Sequence, residues 1–583
     1  MPSPARCALL LLAASLLLAG CDAPSVEAPD LILHNATIWT ADAANPTVRA
    51  VAIRDGYFVA VGSEDDVLGL AGPETETLDL DGRFVTPGFI DTHVHFASAA
   101  RFLEFNIMRT GTQDAFVARV EDVISRLPEG EWILGGYWGA YDQWAEGSAG
   151  GESREPFVPD LGRIDSLTRA YPMFIRKFDN SAFAANTAAL EAAGIDPCAP
   201  EAPGVTFERR EDGCATGIMT GTEGVLRLFR DVVPTGFTHE RRLTQTRNAL
   251  AEIRRYGVTG ISDMSDEEQL ALYRELHDAG DLTVRVDYRY PLDEWYKLAE
   301  QGIRRGDGDA WIRLGGLKGH IDGIMGTSTA RFFEPYTHAP ENRGTWRRLM
   351  VDENGHFVEG QFLDYMLKAD SAALQITVHA IGDEANHLLM NYVEALNAQN
   401  GPRDRRFRLV HAQVIAPDDF DRLGALGILA EVQPYHLSDD MRWMEERIGH
   451  ERCRGAYAFQ RIQDSGAMLV FGSDWPGTSA AEYPINPMLG LYAAVTRQTL
   501  TGEPPQGWFP EQRISMQDAL RAYTYNAAYA SFEEDLKGSI TAGKLADLAV
   551  LSQNLLTVDP AEILNTEVLY TVVGGHIVYR SEP

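Results

Sequence analysis

The sequence predicts an α/β protein. It reads as a (β/α)8 TIM barrel with an insert after the first strand, plus a small β domain built from both chain ends. Three observations predict this. Eight apolar runs near turn signals follow one another through the middle: GFIDTHVHF, GVTGISDM, LTVRVDYRY, IRLGGLKGHID, LQITVHAIGD, FRLVHAQ, LGILAEVQPY and AMLVFGSDWP. Helical patterns lie between several of them. Three of these, HERRLTQTRNALAEIRRYG, EEQLALYRELHDAG and GDEANHLLMNYVEALNAQNG, stop at glycine, a usual helix end. Strands alternating with helices point to a parallel barrel. Finally, short β segments rich in turn residues bracket this middle on both sides.

The elements follow in chain order. MPSPARCALLLLAASLLLAGC has one arginine before an apolar run from Ala8 to Ala19. That run is shorter than the ~20 residues of a membrane helix and fits a signal-peptide core. Its end, Leu-Ala-Gly-Cys, resembles the lipobox of bacterial lipoproteins. The resemblance makes residues 1–20 a lipoprotein-type signal peptide and Cys21 the lipid attachment site. It implies export and a lipid anchor in a bacterial cell envelope, periplasm-facing or at the surface. Ordinary cleavage with an incidental Cys21 is the alternative.

Residues 30–87 alternate β-branched residues with Asp-Gly pairs at 55–56 and 81–82, which are hairpin signals. Residues 531–583 repeat the style in GSITAGKLADLAVLSQ and VLYTVVGGHIVYR, so the two ends are expected to pair. Residues 88–530 hold the barrel. Its first two strands lie over 150 residues apart, too far for a simple loop, so a subdomain is inserted at about 98–255.

A net charge of −33 disfavours nucleic acid as a partner, because phosphates would be repelled. The acidic residues are scattered, as on a solvated surface. Beyond Cys7 and Cys21 there are three cysteines, Cys198, Cys214 and Cys453, with no Cys-x-x-Cys pair to suggest a thiolate zinc site. Cys198 and Cys214 bracket a stretch with hairpin turn signals, which can bring them to disulfide distance. Two unpaired thiols are the alternative.

In such a barrel the chemistry gathers at the carboxyl ends of the strands. His93 and His95 stand there on the first strand, with i, i+2 spacing that aims both rings to one side. Lys318 ends the fourth run, His379 the fifth, His411 the sixth and Asp474 the eighth. Each has an ordinary explanation alone, as a cap, an ion pair or a core histidine. Metal-compatible residues at the same end of five strands are far harder to explain so.

Here the chain resembles the amidohydrolase superfamily of metal-dependent hydrolases, and more narrowly its YtcJ-like group, which includes N-substituted formamide deformylase. The resemblance spans nearly the whole chain after the signal segment. It rests on VTPGFIDTHVHF, LKGHIDGIMGTSTA, VHAIGDEA, RLVHAQ, GSDWP, INPMLGLYAAVTRQ and GSITAGKLADLAVL. It implies that the paired ends form a β-sandwich. It also implies that Lys318 is carboxylated on its ε-amine, giving an anion able to bridge two divalent ions. Nearby cations would favour the carbamate over the ammonium. The alternative is an ion pair between Lys318 and Asp322.

The implied centre is binuclear. His93, His95 and Asp474 hold one ion, His379 and His411 the other, with Lys318 between them. Nitrogen and carboxylate donors suit zinc, with manganese, iron or cobalt as substitutes. A metal-bridging hydroxide would attack a carbonyl. Asp474 would be the catalytic base, taking the water proton and passing it to the leaving nitrogen.

The expected reaction is hydrolysis of a C–N bond, in an amide, formamide or similar small molecule. Expected substrate contacts are His320, Asp322, Arg176, Asp179, Trp138 and His436. Tyr137 and Trp144 could wall an apolar pocket with Trp138, although packing within the insert explains them as well. The stretch RKFDNSAFAAN keeps Arg176, Asp179 and Asn186 of the group's pattern but has Ser181 where histidine is usual. That departure detaches the substrate from any relative's. A homodimer is left open. The rival readings are a mononuclear deaminase of the same superfamily and a non-catalytic surface binding lipoprotein.

Overall fold

The computed structural model describes residues 27–108, 110–139, 157–199, 202–478 and 481–582; the signal-like segment, Cys21 and Trp144 lie outside them. Eight parallel strands form the centre. They are β1 (Phe89–Val94), β2 (Val258–Asp263), β3 (Arg285–Pro291), β4 (Ile312–His320), β5 (Gln375–Ala380), β6 (Arg408–His411), β7 (Leu429–Val432) and β8 (Met468–Phe471). Each falls within one of the eight apolar runs, apart from Pro291 at the end of β3. They pair in sequence order from β1 to β8, all in parallel. The ring closes between β8 and β1. Thr92 Oγ1 donates to the Phe471 carbonyl at 2.9 Å. Just beyond, the Asp474 N–H reaches the His93 carbonyl and the His95 N–H reaches the Trp475 carbonyl, both at 2.8 Å.

The strands are buried on both faces because helices cover the outside, which explains their near-continuous apolar character. The helices His239–Arg255 and Asp383–Asn400 turn Ala249, Leu250 and Ile253, and Leu389, Val393 and Leu396, toward the sheet. Thr238 caps the first, its side chain accepting from the Arg241 N–H.

The two chain ends do pair. Leu548–Leu551 lies antiparallel to Phe84–Pro87 in a six-stranded sheet that also holds Val568–Val573, His576–Arg580, Thr37–Trp39 and Thr47–Val48. A four-stranded sheet of Tyr57–Gly62, Ala50–Arg54, Leu31–His34 and Glu76–Asp79 faces it. Leu33, Val51, Ile53 and Phe58 of the smaller sheet share one core with Ile38, Val85, Val550 and Val572 of the larger. At the Asp55-Gly56 turn both residues have positive φ, 50° and 79°, which a two-residue hairpin loop requires. Asp547 at the edge of this sheet takes a bidentate pair from Arg285 on β3, at 2.6 and 2.8 Å.

Between β1 and β2 the insert forms its own five-stranded sheet: Thr206–Arg209, Ala215–Thr220, Ala182–Ala185, Met173–Lys177 and Ile133–Trp138. Thr206–Arg209 and Ala215–Thr220 form a hairpin. The Ala215 N–H bonds the Pro197 carbonyl at 2.8 Å, which draws the preceding segment alongside. There Cys198 and Cys214 are joined in a disulfide. Cys453 is a free, buried thiol, pushed up to about 12 by burial.

Candidate metal centre

The carboxyl ends of the strands surround a cavity of about 220 Å³. His93, His95, Lys318, His379, His411 and Asp474 all line it, together with His320 and His436. Strand geometry does the gathering. His93 and His95 leave β1 two residues apart, Lys318 and His320 do the same on β4, and β5, β6 and β8 each deliver one group. Asp474 Oδ1 lies 3.5 Å from His93 Nε2 and 3.2 Å from His95 Nε2. The three donor atoms are within 4.8 Å of one another, close enough for a single ion. The rings of His379 and His411 are 4.4 Å apart, and those of His93 and His411 5.1 Å. A second trio with the same spacing is His411, His436 and Asp474. His436 therefore reaches the centre itself, closer than its expected role as a substrate contact.

The backbone is unusual at two of these positions. His411 and Asp474 have φ of 72° and 63°, in the left-handed region where side chains other than glycine are strained. Such strain costs on the order of 1–3 kcal/mol per residue and persists only where the surroundings impose it. At Asp474 the surroundings include the bond from its N–H to His93. A buried carboxyl, Asp91, adds a second tie between β1 and β8. It accepts from the N–H groups of His93 (3.1 Å) and Ser473 (2.9 Å), and burial pushes it up to about 7.

The outer nitrogens of the histidines are already committed, which decides how the rings can face inward. His93 Nδ1 meets Glu431 Oε1 at 2.8 Å, and His411 Nδ1 meets Gln433 Oε1 at 2.7 Å. His379 Nε2 meets the Gly323 carbonyl at 3.0 Å. Each ring thus keeps one lone pair for the cavity, the arrangement found behind metal-binding histidines. Burial, helped by the Lys318 charge, holds His379 at about 3, and burial pushes His93 and His411 well below the usual imidazole range. All three are neutral at pH 7, as a metal ligand must be. Burial raises the Asp474 carboxyl, but the hydrogen bond from His95 and the polar groups around it outweigh burial and leave it ionised.

Lys318 is 5% exposed, and its Nζ has one close partner, His93 Nε2 at 3.3 Å. Burial lowers this amine to about 7. Asp322, the alternative partner, has its oxygens occupied by the N–H groups of Arg331, Ile381 and Gly382, at 2.9, 3.1 and 2.9 Å. Among the described residues it forms no ion pair with Lys318. A buried lysine amid neutral imidazoles, with no carboxylate of its own, suits a site that expects anionic modification and cations. The donor set therefore fits a divalent-metal centre.

Beneath the centre lies a group that the sequence reading missed. Glu431 on β7 is fully buried. It receives Arg289 at 3.0 and 3.1 Å and Arg408 at 2.6 Å as well as His93. Burial raises this carboxyl, but the two guanidiniums outweigh it and hold it near 2. Removing one partner of such a cluster costs about 3–5 kcal/mol, because a buried charge is left unpaired. Glu431 carries the orientation of His93 from behind. The signal was present: Glu, Arg and Arg stand inside the apolar runs LGILAEVQPY, LTVRVDYRY and FRLVHAQ.

The other expected contacts divide. His320 and His436 line the cavity, and His436 stacks on Tyr483 at 3.8 Å. Asp322 is buried behind β5. Trp138 is 1% exposed in the insert's own core, beside Phe105, Ile133 and Ile175. Arg176 lies over the Tyr137 ring and bonds its hydroxyl at 2.8 Å. Asp179 accepts from the Ser181 N–H and hydroxyl. None of Arg176, Asp179 and Trp138 lines the cavity: Trp138 packs in the insert's core, and Arg176 and Asp179 are exposed on its surface in local contacts. Asn186 caps the helix Thr187–Ala192.

A parallel barrel with histidines, a buried lysine and a carboxylate converging at its carboxyl end defines a class, the metal-dependent barrel hydrolases. Within that class the family is also shown: the profile of the amidohydrolase family matches residues 76–579, and the chain belongs to that family. It is 33% identical over 574 residues to the protein LONG AFTER FAR-RED 3 of Arabidopsis thaliana, covering 95% of this chain and 92% of that one. It is 26% identical over 565 residues to an N-substituted formamide deformylase of Arthrobacter pascens, covering 94% and 98%. The crystal structure of an uncharacterized metal-dependent hydrolase from Pyrococcus horikoshii superposes with a TM-score of 0.68 at 25% identity, over 91% of this chain and 99% of that one.

Proposed function

We propose that the chain hydrolyses a C–N bond, in an amide, formamide or similar small molecule, at a binuclear centre bridged by carboxylated Lys318. One observation carries this reading: His93, His95, Lys318, His379, His411 and Asp474 meet around a single cavity. The formamide deformylase relative supports the bond type. Carboxylation needs a neutral amine, whose nitrogen adds to the carbon of CO2 and then loses a proton. Burial of Lys318 favours that neutral form.

His93, His95 and Asp474 would hold one ion and His379 and His411 the other, with zinc the first candidate. The chemistry such a pair supplies is polarisation of a carbonyl and hydroxide from water near neutral pH. The protein's own residues do the rest. Asp474, kept ionised, accepts a proton on the side facing His95 and returns it to the departing nitrogen. Glu431, Gln433 and the Gly323 carbonyl keep the imidazoles from turning. Ile324, Met325, Trp443 and Tyr483 give the cavity an apolar wall.

A panel of N-formyl and N-acyl amines, with metal analysis on the same preparation, tests this. At least one compound should be cleaved to its acid and amine, lost with a chelator and restored by zinc. Turnover confined to amino-heterocycles with one ion per chain would favour the mononuclear deaminase. Protein that holds no metal would favour the binding lipoprotein.

We also propose export and lipid anchoring through Cys21. The N-terminal sequence supports it, and no helix among the described residues is long and apolar enough to cross a membrane. Intact mass of the same preparation from a lipoprotein-processing host should show acyl chains, and a mass without them would reject the anchor.

A further inference from the structure

One carboxyl in the cavity wall has no part in the chemistry above. Asp440 ends the helix Pro434–Asp440 that follows β7, is 5% exposed and lines the cavity. Two donors converge on one of its oxygens. Gln413 Nε2 reaches Oδ2 at 2.5 Å, and the Tyr457 hydroxyl reaches the same atom at 2.6 Å. Gln413 itself lines the cavity two residues after His411. The carboxyl plane is thereby fixed from the protein side.

The other oxygen, Oδ1, has no donor among the described residues. It is also absent from the polar atoms sealed inside the protein without a partner, so it reaches open space. The open space that Asp440 borders is the cavity. No lysine or arginine among the described residues forms an ion pair with Asp440. A buried carboxyl held by two donors on one side and left open on the other is a built acceptor. Burial, with the neighbouring Asp439 charge, pushes this carboxyl up to about 7, so a cationic N–H donor entering the cavity would draw it to the ionised form and bond the open oxygen. Around it stand Met325, Trp443 and Tyr483, walls suited to an apolar or aromatic body. The charges that act on Asp440 from the protein are Asp439 and Arg442, which pair with each other, and Arg347 elsewhere in the lining is exposed, its Nε bonding the Asp322 carbonyl at 3.0 Å.

We infer that Asp440 is the substrate-recognition carboxylate of this cavity. The substrate class is a small C–N compound carrying a second, N–H-donating nitrogen, an ammonium or amidinium group, that bonds Oδ1. This rests on the hydrolase reading above and adds the chemistry of the substrate's other end.

The test reads binding rather than turnover. Calorimetry on the metal-loaded protein compares benzamidine with acetophenone, which is similar in size but has no N–H. Protonated benzamidine has no lone pair to give a metal, so a preference reports a carboxylate. Wild type should bind benzamidine at least about tenfold more tightly, as charge-assisted hydrogen bonds do. Asp440→Asn should abolish the preference with metal content unchanged. Its amide oxygen is needed by Gln413 and Tyr457, so its NH2 would turn to the cavity and repel a donor. Equal affinities in wild type, or an intact preference in Asp440→Asn, would overturn the inference. If Asp440→Asn fails to fold, Asp440→Ser is read in the same way, because Asp474 lines the same cavity and only an Asp440 variant assigns the preference to Asp440. A chain that prefers benzamidine yet cleaves no amide would reject the hydrolase reading only. Cleavage without that preference would reject Asp440 only.

Discussion

Asp474→Asn is expected to keep metal at near-normal stoichiometry while its kcat falls by at least about a hundredfold, the low end of general acid–base contributions. The substitution is isosteric and leaves an oxygen toward His93 and His95, so a donor atom remains. It removes the carboxylate charge beside those two rings, and with it the capacity to take a proton. Two other roles predict different results. A pure ligand would lose activity in step with metal and regain it in excess metal. A pure structural residue would lose stability with turnover intact, and the left-handed φ of 63° makes that a fair rival. Asparagine tolerates that backbone region well, so stability should change little. Metal content, Tm and kcat on one preparation separate the three. Near-wild-type kcat in a fully metallated variant would overturn the proposed proton path.

Lys318→Ala should be more severe for the centre itself. It removes the group proposed to lie between the two ions, and at least one ion and most activity should go with it. The fold should survive, because among the described residues no carboxylate is ion-paired with Lys318. Acetate or propionate added in solution, filling the space of the missing carbamate, should restore part of both metal and turnover. Full metal occupancy and activity in Lys318→Ala would remove the bridging role.

The barrel was legible because each strand is a short apolar run near turn signals. Strands buried on both faces leave that mark whatever they pair with. The inward groups were legible for a related reason. Once eight strands are counted, a histidine, lysine or aspartate at a strand's carboxyl end must face the common cavity. What stayed hidden depends on contacts between distant segments. Glu431 meets Arg289 across 142 residues and His93 across 338, distances that no local pattern reports. Asp440, Gln413 and Tyr457 likewise converge from three separate segments, a helix end and two loops. The insert misled in the opposite way. Trp138, Arg176 and Asp179 have residue types that suit a binding site, but the insert has its own sheet and core, where Trp138 is buried while Arg176 and Asp179 stay on its exposed surface. His436 stands in the helix directly after the seventh strand, where position alone could not say that it would stack on Tyr483 and reach 4.0 Å from Asp474.

The central claim is a binuclear centre at the mouth of the barrel, and metal stoichiometry tests it most directly. The native protein, freed of loosely held ions by gel filtration and analysed by elemental mass spectrometry, should carry two divalent ions per chain. A single ion per chain, unchanged after incubation with zinc and bicarbonate, would contradict it.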